Sequence, residues 1–305
     1  MKARIWSATI VLLLISLCGQ MASADRGDWP KQIDIGFTVN SRDEARFLLM
    51  GEGYGTVGED LVLRLGGWIV HGEGTTKARL SNAYVGLDKP HFYAAVGQKF
   101  VVFGPAGLLV SPGARGAEVV LKGEPISLQL LGGTTQFTPP TGNAGRTTPN
   151  LTPLEAQERP REDFFAARAE YHLIRGIKHS FLGLNTLWMN SESGASVDLE
   201  APAGGGRILY AEASSFDSTS AQLAGMRFTD VGKYFHTAKP TELDVFWTDI
   251  PDDYAPSLLA ATQYRADRDG VGVGLYHRMG KRSALGIYGD GRGVMIDFSR
   301  HFTLH

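Results

Sequence analysis

From about residue 31 onward the chain is mostly segments of about ten residues in which apolar and polar side chains alternate, separated by turn clusters. The stretch 164–173 shows the pattern best. Phe165, Ala167, Ala169, Tyr171 and Leu173 fall on one side of an extended chain; Arg168, Glu170 and His172 fall on the other. Successive strand residues point to opposite faces, so this segment has one apolar wall and one charged wall. Repeated along a chain without a long helical period, the pattern predicts an all-β fold: a single antiparallel transmembrane β-barrel of about 14–16 strands.

The first 24 residues read as a cleavable secretory signal peptide. Lys2 and Arg4 precede an apolar core over 5–17, and Ala22-Ser23-Ala24 supplies a small-x-small cleavage site before Asp25. The competing readings are a membrane anchor, for which the apolar run is short against the roughly 20 residues a spanning helix needs, and a lipid-modified Cys18, for which Leu17 is a poor preceding residue. Residues 25–305 then form one β-barrel domain. Cys18 is the one cysteine in the sequence, so the exported chain carries no disulfide and no thiolate chemistry. A formal net charge of −2 argues against a nucleic-acid partner, which calls for a basic excess.

Alternation predicts strands over 32–40, 46–55, 61–70, 78–88, 92–103, 117–122, 126–136, 164–173, 180–190, 207–216, 221–229, 241–249, 258–265, 271–278, 283–289 and 294–304. A short further strand is drawn at 196–201. Lys89-Pro90, Gly204-Gly205-Gly206 and Asp269-Gly270 read as turns. The stretch 104–113 is irregular, and 138–161, with five prolines, is the longest non-strand segment. A loop of that length in a compact fold is usually functional or disordered.

Three short motifs carry a resemblance. Asn82-Ala83-Tyr84-Val85-Gly86-Leu87 is followed by Val96-Gly97-Gln98-Lys99-Phe100 with Phe103-Gly104-Pro105, and then by Arg115-Gly116-Ala117-Glu118. Together they resemble the early strands of the bacterial outer-membrane porins, over a little more than a tenth of the chain. The resemblance implies passive diffusion of small hydrophilic solutes or ions across a bacterial outer membrane, with outer-membrane lipid as the surroundings and a homotrimer as the assembly. The terminal segment 294–304 fits the final strand of such barrels, although the chain runs three residues past Phe302.

Charged residues opposite apolar faces form the candidate site: Arg64, Arg168, Glu170, His172, Glu242 and Asp244. In a barrel they line the lumen, where charge tunes ion preference. In a soluble periplasmic β-sandwich that binds a ligand, the same residues are a solvated outer face, and alternation alone does not separate the two. The 138–161 segment is either a surface loop or a constriction carrying Arg146, Glu155, Glu158, Arg159 and Arg161. A plugged structural or adhesive barrel is the third architecture. Aromatics near strand ends (Tyr54, Trp68, Tyr84, Phe92, Tyr93, Trp188, Trp247, Tyr264, Tyr288, Phe302) suit either interfacial girdles or simple β-propensity.

No enzyme, cofactor or metal is expected. The glycine runs at 51–55 and 289–293 lack the Gly-Lys-Ser/Thr and helix of a phosphate loop. Asp267-Arg268-Asp269-Gly270 lacks the remaining ligands of a calcium loop. The adjacent His179 and Ser180 point to opposite faces of a strand and cannot pair directly.

Overall fold

A computed structural model describes residues 31–40, 45–57, 60–72, 75–110, 113–135, 162–177, 179–229, 231–232, 241–251, 253–254, 268–278, 283–290 and 293–304. The described strands of the first half are β1 (Lys31–Asn40), β2 (Ala45–Val57), β3 (Leu61–Gly72), β4 (Thr75–Lys89), β5 (Phe92–Phe100), β6 (Gly113–Leu121), β7 (Ile126–Thr135) and β8 (Asp163–His172). The second half holds β9 (Phe181–Met189), β10 (Glu192–Gly204), β11 (Arg207–Phe216), β12 (Thr219–Phe228), β13 (Thr241–Ile250), β14 (Arg268–Arg278), β15 (Ser283–Asp290) and β16 (Gly293–Leu304). Each strand pairs antiparallel with its sequence neighbours. β1 closes onto β16, with Lys31 opposite Leu304 and Asn40 opposite Met295. The single sheet is therefore a closed barrel without an open edge, and the two-sheet sandwich is not formed.

Three sequence expectations change. The short segment at 196–201 is the middle of a full strand, β10. The strand drawn over 92–103 stops at Phe100, as β5, and 101–110 is irregular. The ring passes directly from β13 to β14, with Thr241 opposite His277; the strand drawn over 258–265 lies outside the described residues. Asp269-Gly270 is not a turn but the start of β14, facing Asp249 and Thr248. The β13 ladder extends far enough to hold these two residues in register, and the reversal falls before them.

Up-and-down order places the start of β1 and the end of β16 at one rim, together with the two-residue turns 90–91 and 205–206 and the connection 229–240. The opposite rim carries the long connections 101–112, 136–162 and 251–267 beside the tight turns 190–191 and 217–218.

The faces sort in reverse of a soluble protein. Leu182, Leu184, Val197, Leu199, Leu209, Val271 and Val273 are exposed on the outer wall, while Arg168, Asn185, Asp198, Glu200, Glu212 and Asp244 are buried on the inner wall. Large apolar side chains are normally interior and carboxylates exterior; here strand alternation puts water-preferring groups inside the ring. Among the described residues no helix is long and apolar enough to cross a membrane.

Candidate functional site

The inner wall from β8 to β11 holds a chain of charges. Across the paired strands, Glu170 faces Gly183, Gly183 faces Asp198, and Asp198 faces Glu212. Arg168 leans over Gly183 to reach Asp198 two strands away, with Nη1 2.6 Å from Oδ2 and Nη2 3.0 Å from Oδ1. Its Nε and Nη2 also donate to Glu170 Oε2, at 3.0 and 2.8 Å. Asn185 completes the group, accepting from Arg168 at 2.7 Å and donating to Asp198 at 2.6 Å. Gly183 makes this geometry feasible: a Cβ there would lie 2.5 Å from both Arg168 Nη1 and Asp198 Oδ2. A glycine inside a strand often marks such a close approach.

The same arrangement recurs three strands on. The Tyr210 ring lies over Gly225 on β12, where an added Cβ would strike it, and the hydroxyl donates to Asp244 Oδ1 on β13 at 2.7 Å. Arg227, directly opposite Asp244, stacks its guanidinium 5.3 Å from the Tyr210 ring centre. Tyr210→Phe is expected to cost about 1–3 kcal/mol, because a buried carboxylate loses its donor. Urea unfolding of the detergent-refolded barrel measures it. Near the far rim, Ser214 bonds the hydroxyl of Tyr254, in the connection after β13. Burial, with a smaller contribution from the Glu212 charge, pushes the Tyr254 phenol up, so it stays protonated as a hydrogen-bonding group.

The connection between β5 and β6 enters the barrel. Phe103 N–H donates to the Val110 carbonyl at 2.9 Å, closing the segment on itself. Phe103, Ala106, Leu108 and Val110 have no exposed surface and pack with Phe164, Leu187, Met189, Phe216, Leu223 and Ile250 of the inner wall. Gly104 sits above the Asp198–Glu212 pair with φ of 77°. A Cβ there would come within 2.9 Å of Asp198 Oδ2, and the left-handed backbone itself favours glycine.

The proposed site residues fall as follows. Arg168, Glu170 and Asp244 share the inner wall as described. His172 lies on it too, its Nε2 3.6 Å from Glu170 Oε1, and Glu242 is half-buried on the face of Asp244. Arg64 shares a face with the buried Val62 and Gly66, opposite Tyr84 and far along the ring from the β8–β11 cluster. Arg146, Glu155, Glu158, Arg159 and Arg161 lie outside the described residues. Among the described residues, the segment that occupies the interior is 101–110; the 138–161 loop lies outside them. Glu118, Asp198, Glu200 and Glu212 were not singled out. Two aromatics of the proposed girdle also point inward: the rings of Tyr84 and Tyr93 flank the Lys99 ammonium at 5.1 and 5.0 Å, and that ammonium pairs with Glu118. Trp188 and Phe165 do stand outside, in contact at 5.5 Å on neighbouring strands at the far rim.

Solved structures match this architecture. A variant of Rhodopseudomonas blastica porin superposes with a TM-score of 0.51 at 8% identity, over 91% of this chain and 100% of that one. The chain has the porin fold. OprB of Pseudomonas putida, in its low-pH structure, is similar at a TM-score of 0.52 and 10% identity, covering 91% of this chain and 92% of that one. No protein-family model matches the chain, and no curated protein does. What the porin fold establishes is architecture: a closed ring of antiparallel strands around an interior.

Proposed function

We propose that the protein is an outer-membrane channel for passive diffusion of small hydrophilic solutes or ions, narrowed by the 101–110 segment. The observation that carries this reading is the sorting of side chains around a closed ring, with carboxylates and guanidinium groups inside and bare aliphatic side chains outside. A contiguous exposed apolar belt marks a surface that water does not cover, and in hydrocarbon only a closed barrel satisfies every strand. On this reading the signal peptide delivers the chain for export, outer-membrane lipid surrounds it, and the assembly is a homotrimer. Arg64, Glu170, His172 and Glu242, all half-buried on the inner wall, line the path of the solute. Arg168 and Asp244 are buried behind them and hold the wall in shape.

The complete burial of Phe103, Leu108 and Val110 supports a second reading, a plugged barrel that serves a structural role. One measurement separates the two. The purified protein, reconstituted in a planar bilayer, is expected to give ohmic single-channel steps, and a salt gradient reads the sign of ion preference. A detergent-dependent, β-rich protein that stays silent at all voltages would favour the plug.

A further inference from the structure

An apolar segment packed inside a barrel needs something directional to fix its position. The hydrophobic contacts of Phe103, Leu108, Leu109 and Val110 favour burial but are indifferent to register. One inner-wall group supplies direction. Glu212 Oε1 accepts the backbone N–H of Leu108 at 3.0 Å and of Leu109 at 3.4 Å, with the Ser196 hydroxyl at 3.4 Å on the same oxygen. Glu212 is 2% exposed, and its second oxygen has no hydrogen-bond partner among the described residues. It also faces Asp198 directly across the β10–β11 ladder, so placing this carboxylate here carries a like-charge cost. An apolar residue would avoid that cost, whereas two N–H groups buried in the lumen require an acceptor.

We propose that Glu212 is the positioning residue of the inward segment: its single bridging oxygen fixes where 101–110 sits, and thereby the width of the passage beside it. The consequence for conductance rests on the channel reading above; the positional claim does not. Leaving a buried N–H donor without its acceptor shifts a conformational balance by roughly 10- to 100-fold, enough to turn one docked position into several. Glu212→Gln keeps an acceptor oxygen at the same reach and removes the charge. Glu212→Ala removes the acceptor. Glu212→Asp keeps the charge but withdraws it by one methylene.

The test places spin labels at Val102→Cys on the segment and Ser191→Cys on the 190–191 turn, both exposed, in the reconstituted barrel. The distance distribution is expected to be single and narrow for the parent and for Glu212→Gln, and broad for Glu212→Ala and Glu212→Asp. In parallel, single-channel recordings of Glu212→Ala and Glu212→Asp are expected to show several conductance levels where the parent shows one. An unchanged, narrow distribution in both Glu212→Ala and Glu212→Asp overturns the assignment. Broadening in Glu212→Gln equal to that in Glu212→Ala also overturns it, because charge rather than the acceptor would then be what matters. If Glu212→Ala does not assemble, Glu212→Asp decides. A barrel that never conducts yet broadens refutes the channel and keeps the positioning role; one that conducts with unchanged distances does the reverse.

Discussion

Arg168→Met is expected to lower the stability of the folded barrel by about 3–5 kcal/mol, the usual cost of removing one partner from a buried ion pair. The reason lies in what remains. Asp198, with its side chain fully buried, would keep Asn185 as a donor but lose both guanidinium bonds, and Glu170 would lose its bidentate partner. Asp198 would then face Glu212 with no cation between Glu170 and Glu212 to balance the three acids. The opposite substitution separates charge from geometry. Gly183→Val leaves every charged group in place but fills the space through which Arg168 passes, so a loss of similar size is expected from a position that has no side chain of its own. Urea titration of refolded barrels, followed by the mobility shift between folded and unfolded protein on gels, measures both. A Gly183→Val barrel as stable as the parent would show that Arg168 reaches Asp198 by another route.

Alternation over two residues states which face a side chain occupies, which is why Arg168, Glu170 and Asp244 could be placed on the inner wall from sequence. It does not state which residues meet. Arg168 and Asp198 are 30 positions apart, and their contact depends on the registers of β8, β9 and β10 together with a glycine at the crossing. Asp198, Glu200 and Glu212 were passed over because their strand, 196–201, looked too short, and because 207–216 offers a small-residue run at 211–215 with a single acid. The inward segment did leave a trace. No charged residue occurs from Val101 to Ala114, which is unusual for a connection bathed in water and suits one packed against Leu187 and Phe216. That trace was hidden because Val101, Val102 and Phe103 were read as the end of the preceding strand. The long 138–161 stretch drew attention by its prolines and charges, which mark a segment outside a core but say nothing of where it lies.

Leu184→Arg tests the sorting of faces itself, and the direction of its effect depends on what surrounds the barrel. Leu184 lies mid-way along β9 on the outer wall and is 59% exposed. On a protein bathed in water, replacing an exposed leucine by arginine leaves stability within about 0.5 kcal/mol and generally helps solubility. At the middle of a bilayer the same change costs about 2–4 kcal/mol, falling toward zero near the interfaces. A graded series therefore follows from the fold. Leu184→Arg should be costly in lipid vesicles, Trp188→Arg near the far rim should cost much less apart from its lost contact with Phe165, and both penalties should shrink in short-chain detergent. Folding free energies in vesicles of defined thickness measure the series. A flat profile along β9 would mean that the outer apolar wall does not face hydrocarbon; a maximum at Leu184 would locate the bilayer midplane on the strand and, through the shared register, on Ala169 of β8 and Val197 of β10 beside it.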